Sequence, residues 1–185
     1  MSDRPQRIFP RAPLSGHVLG FGKDIFKSQT LNVSIAGLLF ESVESLEVGS
    51  EISLAFDLPV IKDFTKTKEE KLFQLDKGEF QRSVIRVKAK VARHFQGKNP
   101  IGEGEVNQTA VEFVDISEEI KDHIQKYVDR FKKNLELLLH DIEELGRSNT
   151  HGGRIKKVAE LLGYGEVHKI SVLRQRVSHH YQGLQ

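Results

Sequence analysis

From Ile85 to Val91 the chain alternates without interruption: Ile85, Val87, Ala89 and Val91 fall on one side, and Arg86, Lys88, Lys90 and then Ala92 on the other. A period of two sends successive side chains to opposite faces, so this segment is a strand with one face in a core and the other in water. The same signal recurs on both sides of it. Leu31, Val33 and Ile35 alternate ahead of Ala36-Gly37, Leu38 and Phe40 resume after it, and Ile52, Leu54 and Phe56 follow the turn-prone Val48-Gly49-Ser50. Pro59 closes that last run, because proline cannot donate to a ladder. A final strand is predicted through Val106, Ala110, Val111 and Phe113, and a short first one through His17, Val18, Leu19 and Phe21. The charged stretch 60–82 interrupts the pattern and reads as an insertion with a small hairpin turning at Asp76-Lys77-Gly78.

At Ser117 the period changes. Ile120, Ile124, Val128, Phe131, Leu135, Leu138, Ile142 and Leu145 recur three or four residues apart, with Ser117 placed as an N-cap, Glu118 and Glu119 suited to the positive helix start, and Gly146 ending the pattern. The spacing predicts a helix of about 28 residues, roughly 42 Å long. Leu137 and Leu139 widen its apolar stripe beyond what one covering surface needs, so the 120–145 helix is expected to pair with a second copy or a partner. Two short amphipathic helices follow, separated near Gly163-Tyr164-Gly165. The expected fold class is therefore mainly β with an α extension, divided into a strand-rich unit over 1–120 and a helical unit over 121–185.

A chain of 185 residues suits one ordinary domain with such an extension. The net charge of +2 makes bulk attraction to nucleic acid or anionic lipid unimportant, and any such affinity would need a local patch. The absence of cysteine removes disulfides, thiolate metal sites and cysteine nucleophiles, and fits a reducing compartment. No apolar run approaches the roughly 20 residues that span a bilayer, and the first residues are charged where a signal peptide would be apolar, so a soluble cytoplasmic protein is expected. No nucleophile, base and orienter set is evident, nor a P-loop or dinucleotide fingerprint, so no enzymatic activity is expected. His151, His168, His179 and His180 lack acidic company at ligand spacing, so no metal or cofactor is expected.

Two short patterns remain. RIFPR, residues 7–11, sets Arg7 and Arg11 four apart in a Pro- and Gly-punctuated arm where Arg4, Arg7, Arg11, Lys23 and Lys27 outnumber Asp3 and Asp24. NVSIAG, residues 32–37, is an N-x-S-x-x-G at the first strand turn. Composition alone yields roughly 0.6 R-x-x-x-R matches in this chain, against roughly 0.08 for [DN]-x-S-x-x-G. Arg82 and Arg86 repeat the first spacing merely as a solvated strand face. What carries information is the conjunction, a basic arm some way upstream of a polar strand turn.

That pair, followed by short strands, by VARHF and TAVEFVDIS, and by a helix, resembles the PilZ domain, the bacterial receptor module for cyclic di-GMP, over residues 4 to about 130. The resemblance implies a six-stranded antiparallel β-barrel flanked by a helix, with the arm folding over the ligand. It assigns Arg7 and Arg11 as the motif arginines and Asn32, Ser34 and Gly37 as the motif turn, with Arg4, Ala36 and Arg93 as further candidates. Asn32 stands where aspartate is commoner, Ala36 where glycine is frequent, and the 60–82 insertion exceeds the usual connection. The chemistry is coherent. Two guanines each present O6 and N7 acceptors that arginine's planar fork meets bidentately, while two phosphates supply negative charge. Asn32 and Ser34, two apart on a strand, share a face, and Gly37 would allow close backbone approach or a positive φ. Two other readings stay open. One is an adaptor that binds no ligand and dimerises through its long helix. The other is a DNA-binding regulator using residues 154–182, where Arg154, Lys156, Lys157, Lys169, Arg174 and Arg176 outnumber Glu160 and Glu166; Lys169 falls where a helix-turn-helix needs an apolar residue.

Overall fold

A computed structural model describes residues 9–42, 46–98, 105–145 and 152–185. Six antiparallel strands, β1 (Ala12–Phe21), β2 (Ile25–Ser34), β3 (Gly37–Glu41), β4 (Glu51–Pro59), β5 (Arg82–Lys98) and β6 (Glu105–Val114), close into a barrel in the order β1-β2-β3-β6-β5-β4. Closure removes the free edges that an open sheet would present. The alternation of β5 is realised as expected: Ile85, Val87, Ala89 and Val91 are buried while Arg86, Lys88 and Lys90 are exposed.

The first strand has ten residues and begins at Ala12, ahead of the short run expected from His17. Gly20 pairs with Phe26, and a Cβ on Gly20 would lie 1.9 Å from the Phe26 ring. The missing side chain makes room for that ring, which stacks on Phe40 with centroids 5.8 Å apart.

The 60–82 insertion holds no hairpin at Asp76-Lys77-Gly78. It folds as a 3₁₀ turn at Phe64–Lys66, the short helix α1 (Glu69–Phe73) and a second 3₁₀ turn at Lys77–Glu79. Asp63 caps the first turn, accepting from the Thr65 N–H and hydroxyl. The Asp76 carboxylate accepts from the Gly78 N–H at 2.7 Å, so the side chain closes a local turn in place of the strand pairing a hairpin would need.

The long helix, α2 (Glu118–Leu145), has the 28 residues that the spacing predicts, and Ser117 Oγ accepts from the Ile120 N–H at 3.3 Å at its start. Its stripe of Ile124, Val128, Phe131, Leu135, Leu138 and Ile142 is buried within the chain. Packed against α2 are the insertion, α3 (Gly152–Leu161) and α4 (Ile170–Gln182). The buried Asn134 ties the insertion down: its Oδ1 accepts from the Phe64 N–H and its Nδ2 donates to the Lys62 carbonyl, both at 2.9 Å. The stripe that suggested self-association is therefore occupied by the chain's own residues. One hydrophobic cluster runs from Ala12 in the barrel to Leu184 after α4.

Several of the basic residues counted in the C-terminal stretch sit in ion pairs. Arg154 lies 3.1 Å from the buried Asp141, Lys157 3.7 Å from Glu160 and Arg174 3.7 Å from Glu143. Lys169 occupies the N-cap of α4, outside the helix. No helix among the described residues is long and apolar enough to cross a membrane.

Candidate ligand-binding site

The β2–β3 hairpin is built from the NVSIAG motif. Ser34 pairs with Gly37, leaving Ile35 and Ala36 as the two-residue connection. The Ser34 hydroxyl accepts from the Ala36 N–H at 3.3 Å and donates to the Gly37 carbonyl at 3.4 Å, and Ser34 is only 2% exposed. Its oxygen thus works within the turn, as short hydroxyl side chains do when they satisfy nearby backbone groups.

Gly37 serves the neighbouring strand. A Cβ there would lie 2.1 Å from the Val111 carbonyl oxygen, so any side chain would push β6 away from the hairpin. Gly37 is not among the positive-φ residues, and the close approach its missing side chain allows is to β6. Ala36 anchors the same junction, its carbonyl accepting from the Phe113 N–H at 2.9 Å.

The start of β1 lies beside this hairpin. Ala12 pairs with Val33 and Pro13 with Asn32, so Arg11, exposed and immediately ahead of Ala12, emerges beside the Ser34 end of β2. Arg7 and Arg4 lie outside the described residues. Asn32 is half-buried and pairs with Leu39 on its other side, Leu39 pairs with Ala110, and Ala110 with Arg93. One row of the ladder therefore carries Pro13, Asn32, Leu39, Ala110 and Arg93 around the barrel. Arg93 stands three strands from Asn32, about 14 Å away at the usual inter-strand spacing. Its guanidinium lies 4.8 Å from the centroid of the Phe95 ring, a cation–π contact.

Two features of this region had no local signal in the sequence. His94 bridges strands and loop, with Nδ1 2.9 Å from Thr109 Oγ1 and Nε2 2.8 Å from the Leu46 carbonyl oxygen. Tyr127 of α2 donates its hydroxyl to the Pro13 carbonyl at 2.6 Å, and burial pushes its pKa up, so it stays a neutral donor. This bond fixes the first residues of β1, and so the root of the arm, to the long helix. The site accordingly offers an arginine at the mouth of a rigid hairpin, a half-buried carboxamide beside it, and a second guanidinium farther along the same row. Such a set recognises planar, acceptor-rich or anionic groups.

No curated protein matches the chain. Among solved structures, the Bacillus subtilis inhibitor of motility MotI/DgrA is 17% identical with a TM-score of 0.49, covering 71% of this chain and 53% of its own. The PilZ domain of Escherichia coli YcgR with c-di-GMP is 11% identical with a TM-score of 0.45, covering 78% of this chain and 98% of its own. The c-di-GMP complex of MrkH from K. pneumonia is 13% identical with a TM-score of 0.42, covering 78% and 56%. This chain thus spans about half the length of MotI and MrkH. The PilZ domain family itself matches residues 5–130, well over half of the sequence, and the chain belongs to that family.

Proposed function

We propose that the protein is a receptor for cyclic di-GMP, bound where the N-terminal arm meets the β2–β3 hairpin. The observation that carries this reading is the β1–β2 register, Ala12 with Val33 and Pro13 with Asn32, which sets Arg11 beside the N-x-S-x-x-G turn although some twenty residues of chain lie between them. Arg7 and Arg11 clamp guanine edges and phosphates, Arg4 adds positive charge, and Asn32 offers its carboxamide. Ser34, Ala36 and Gly37 act by shaping the hairpin that receives the ligand. Arg93 meets a ligand long enough to reach across the row.

Ligand contact through the arm's arginines links the ligand to the rest of the molecule. The Tyr127 bond to the Pro13 carbonyl supports a route from the arm to α2, through which the surface offered to a partner changes. The absence of cysteine suits action in the reducing cytoplasm.

Isothermal titration of cyclic di-GMP into the wild type, Arg7→Ala and Arg11→Ala tests the reading. Saturable binding by the wild type is expected, weakened about tenfold to a hundredfold in each variant. Undiminished binding by both variants removes the clamp, and no binding by the wild type removes the receptor.

A further inference from the structure

On the outside of the barrel, away from the hairpin, β1, β4 and β5 form a groove of about 900 Å³. Paired residues share a face, so the register gives its shape. Phe21, Ser53 and Lys88 form one row, and Leu19, Ala55 and Arg86 the next. The middle strand contributes only Ser53 and Ala55 to these rows, so it is the floor. Leu19 and Phe21 make an apolar wall on one side, extended by Ile25, which pairs with Phe21. Arg86 and Lys88 make a cationic wall on the other, with Val84 at its end. The apolar members are open to solvent: Leu19 is 42% exposed, Phe21 46%, Val84 56% and Ile25 75%. Leu19, Phe21 and Ile25 adjoin one another, and exposed apolar side chains clustered in this way on a folded protein mark an interaction site.

We propose that this groove docks an acidic amphipathic helix of a partner protein. The walls stand two inter-strand spacings apart, about 9.5 Å, so a helix of about 10–12 Å diameter rests across them with the apolar ridge of one face settled between. From His17 to Phe21 the groove runs about 14 Å, the length of about nine helical residues, enough for apolar contacts at i, i+4 and i+7. Arg86 and Lys88 are two strand residues apart, about 7 Å, close to the roughly 6 Å between helical positions i and i+4. Two carboxylates at that spacing along one flank therefore meet both cations while the leucine-type stripe meets Leu19 and Phe21.

The other occupants fit less well. Asp57, in the Val84 row beyond Arg86, and Asp115 also line the groove, so the cationic stretch is confined to Arg86 and Lys88, room for two carboxylates but not for the continuous phosphate track of a nucleic acid. A groove cannot fill its own copy, and the long helix of a second copy has its apolar stripe already buried. Among the described residues, the remaining exposed large apolar side chains, Phe9, Val48, Val60, Phe73 and Ile170, belong to different parts of the chain and form no helical stripe.

The test uses a synthetic helical peptide with leucine at i, i+4 and i+7 and glutamate along one flank, and a control in which lysine replaces each glutamate. Both are titrated into the full chain without cyclic di-GMP, and amide NMR shifts are read, so the result does not depend on the nucleotide. The acidic peptide is expected to shift residues 17–21, 53–57 and 84–88 and to saturate, binding about tenfold tighter than its control. Arg86→Glu with Lys88→Glu reverses that preference, and Phe21→Ser weakens both peptides while leaving distant amides unmoved. No saturable shift, equal binding of the two peptides, or shifts elsewhere would overturn the proposal. So would a dimer in light scattering that Phe21→Ser dissolves, or displacement of the peptide by oligouridylate.

Discussion

Two apolar surfaces of this protein look alike in composition and differ in fate. The stripe of α2 is buried by the barrel, the insertion, α3 and α4, whereas the outer faces of β1 and β2 leave Leu19, Phe21 and Ile25 in water. The difference is whether the same chain supplies a cover at the right place. Along α2 it does, with Asn134 binding two backbone groups of the insertion and Arg154 of α3 pairing with Asp141. Over the groove no described element lies, and the wall keeps its exposure. An apolar pattern thus says that a surface needs a partner, but not whether that partner is part of the same molecule.

The contrast predicts a steep difference between substitutions of the same chemical kind. Leu138→Ala, at a fully buried position of the stripe, is expected to lower stability by about 2–5 kcal/mol in denaturant unfolding, because it leaves a cavity between packed helices. Asn134→Ala comes next, at about 1–3 kcal/mol, since it strands the Phe64 N–H and the Lys62 carbonyl without partners. A cost for Asn134→Ala near zero in the same unfolding measurement would mean that the insertion is not held to α2 as described. Smallest of all, Leu19→Ser should change stability by no more than about 0.5 kcal/mol, as a surface substitution. A loss as large as that of Leu138→Ala would break the comparison, because it would show that the groove wall is covered in solution.

Much of the fold was legible because its strands and its long helix are locally periodic. The β5 alternation, the Pro59 stop, the Ser117 cap and the 28-residue helix all stand where the spacing put them. The insertion departs from the expected hairpin because Asp63 and Asp76 cap 3₁₀ turns through their own side chains, and a turn signal does not tell a hairpin from a local cap. In the candidate site, the pairing of Ala12 with Val33, which sets Arg11 next to the N-x-S-x-x-G strand, is a register that the order of the motifs along the chain does not encode. The inward use of Ser34 and the packing role of Gly37 were not visible, since each depends on a strand or turn brought alongside only by folding.

The sequence by itself determined the periods: which residues alternate, where the helix begins, and which short polar motifs interrupt the pattern. Those properties are set by residues within a few positions of one another. Only the tertiary structure decided that Gly37 lies against Val111, that Tyr127 holds the Pro13 carbonyl across 114 residues of chain, and that one apolar face is covered while another is bare. The physical reason is that these outcomes depend on which surfaces the closed barrel and its packed helices bring within contact distance, a property of the whole chain that no local spacing encodes.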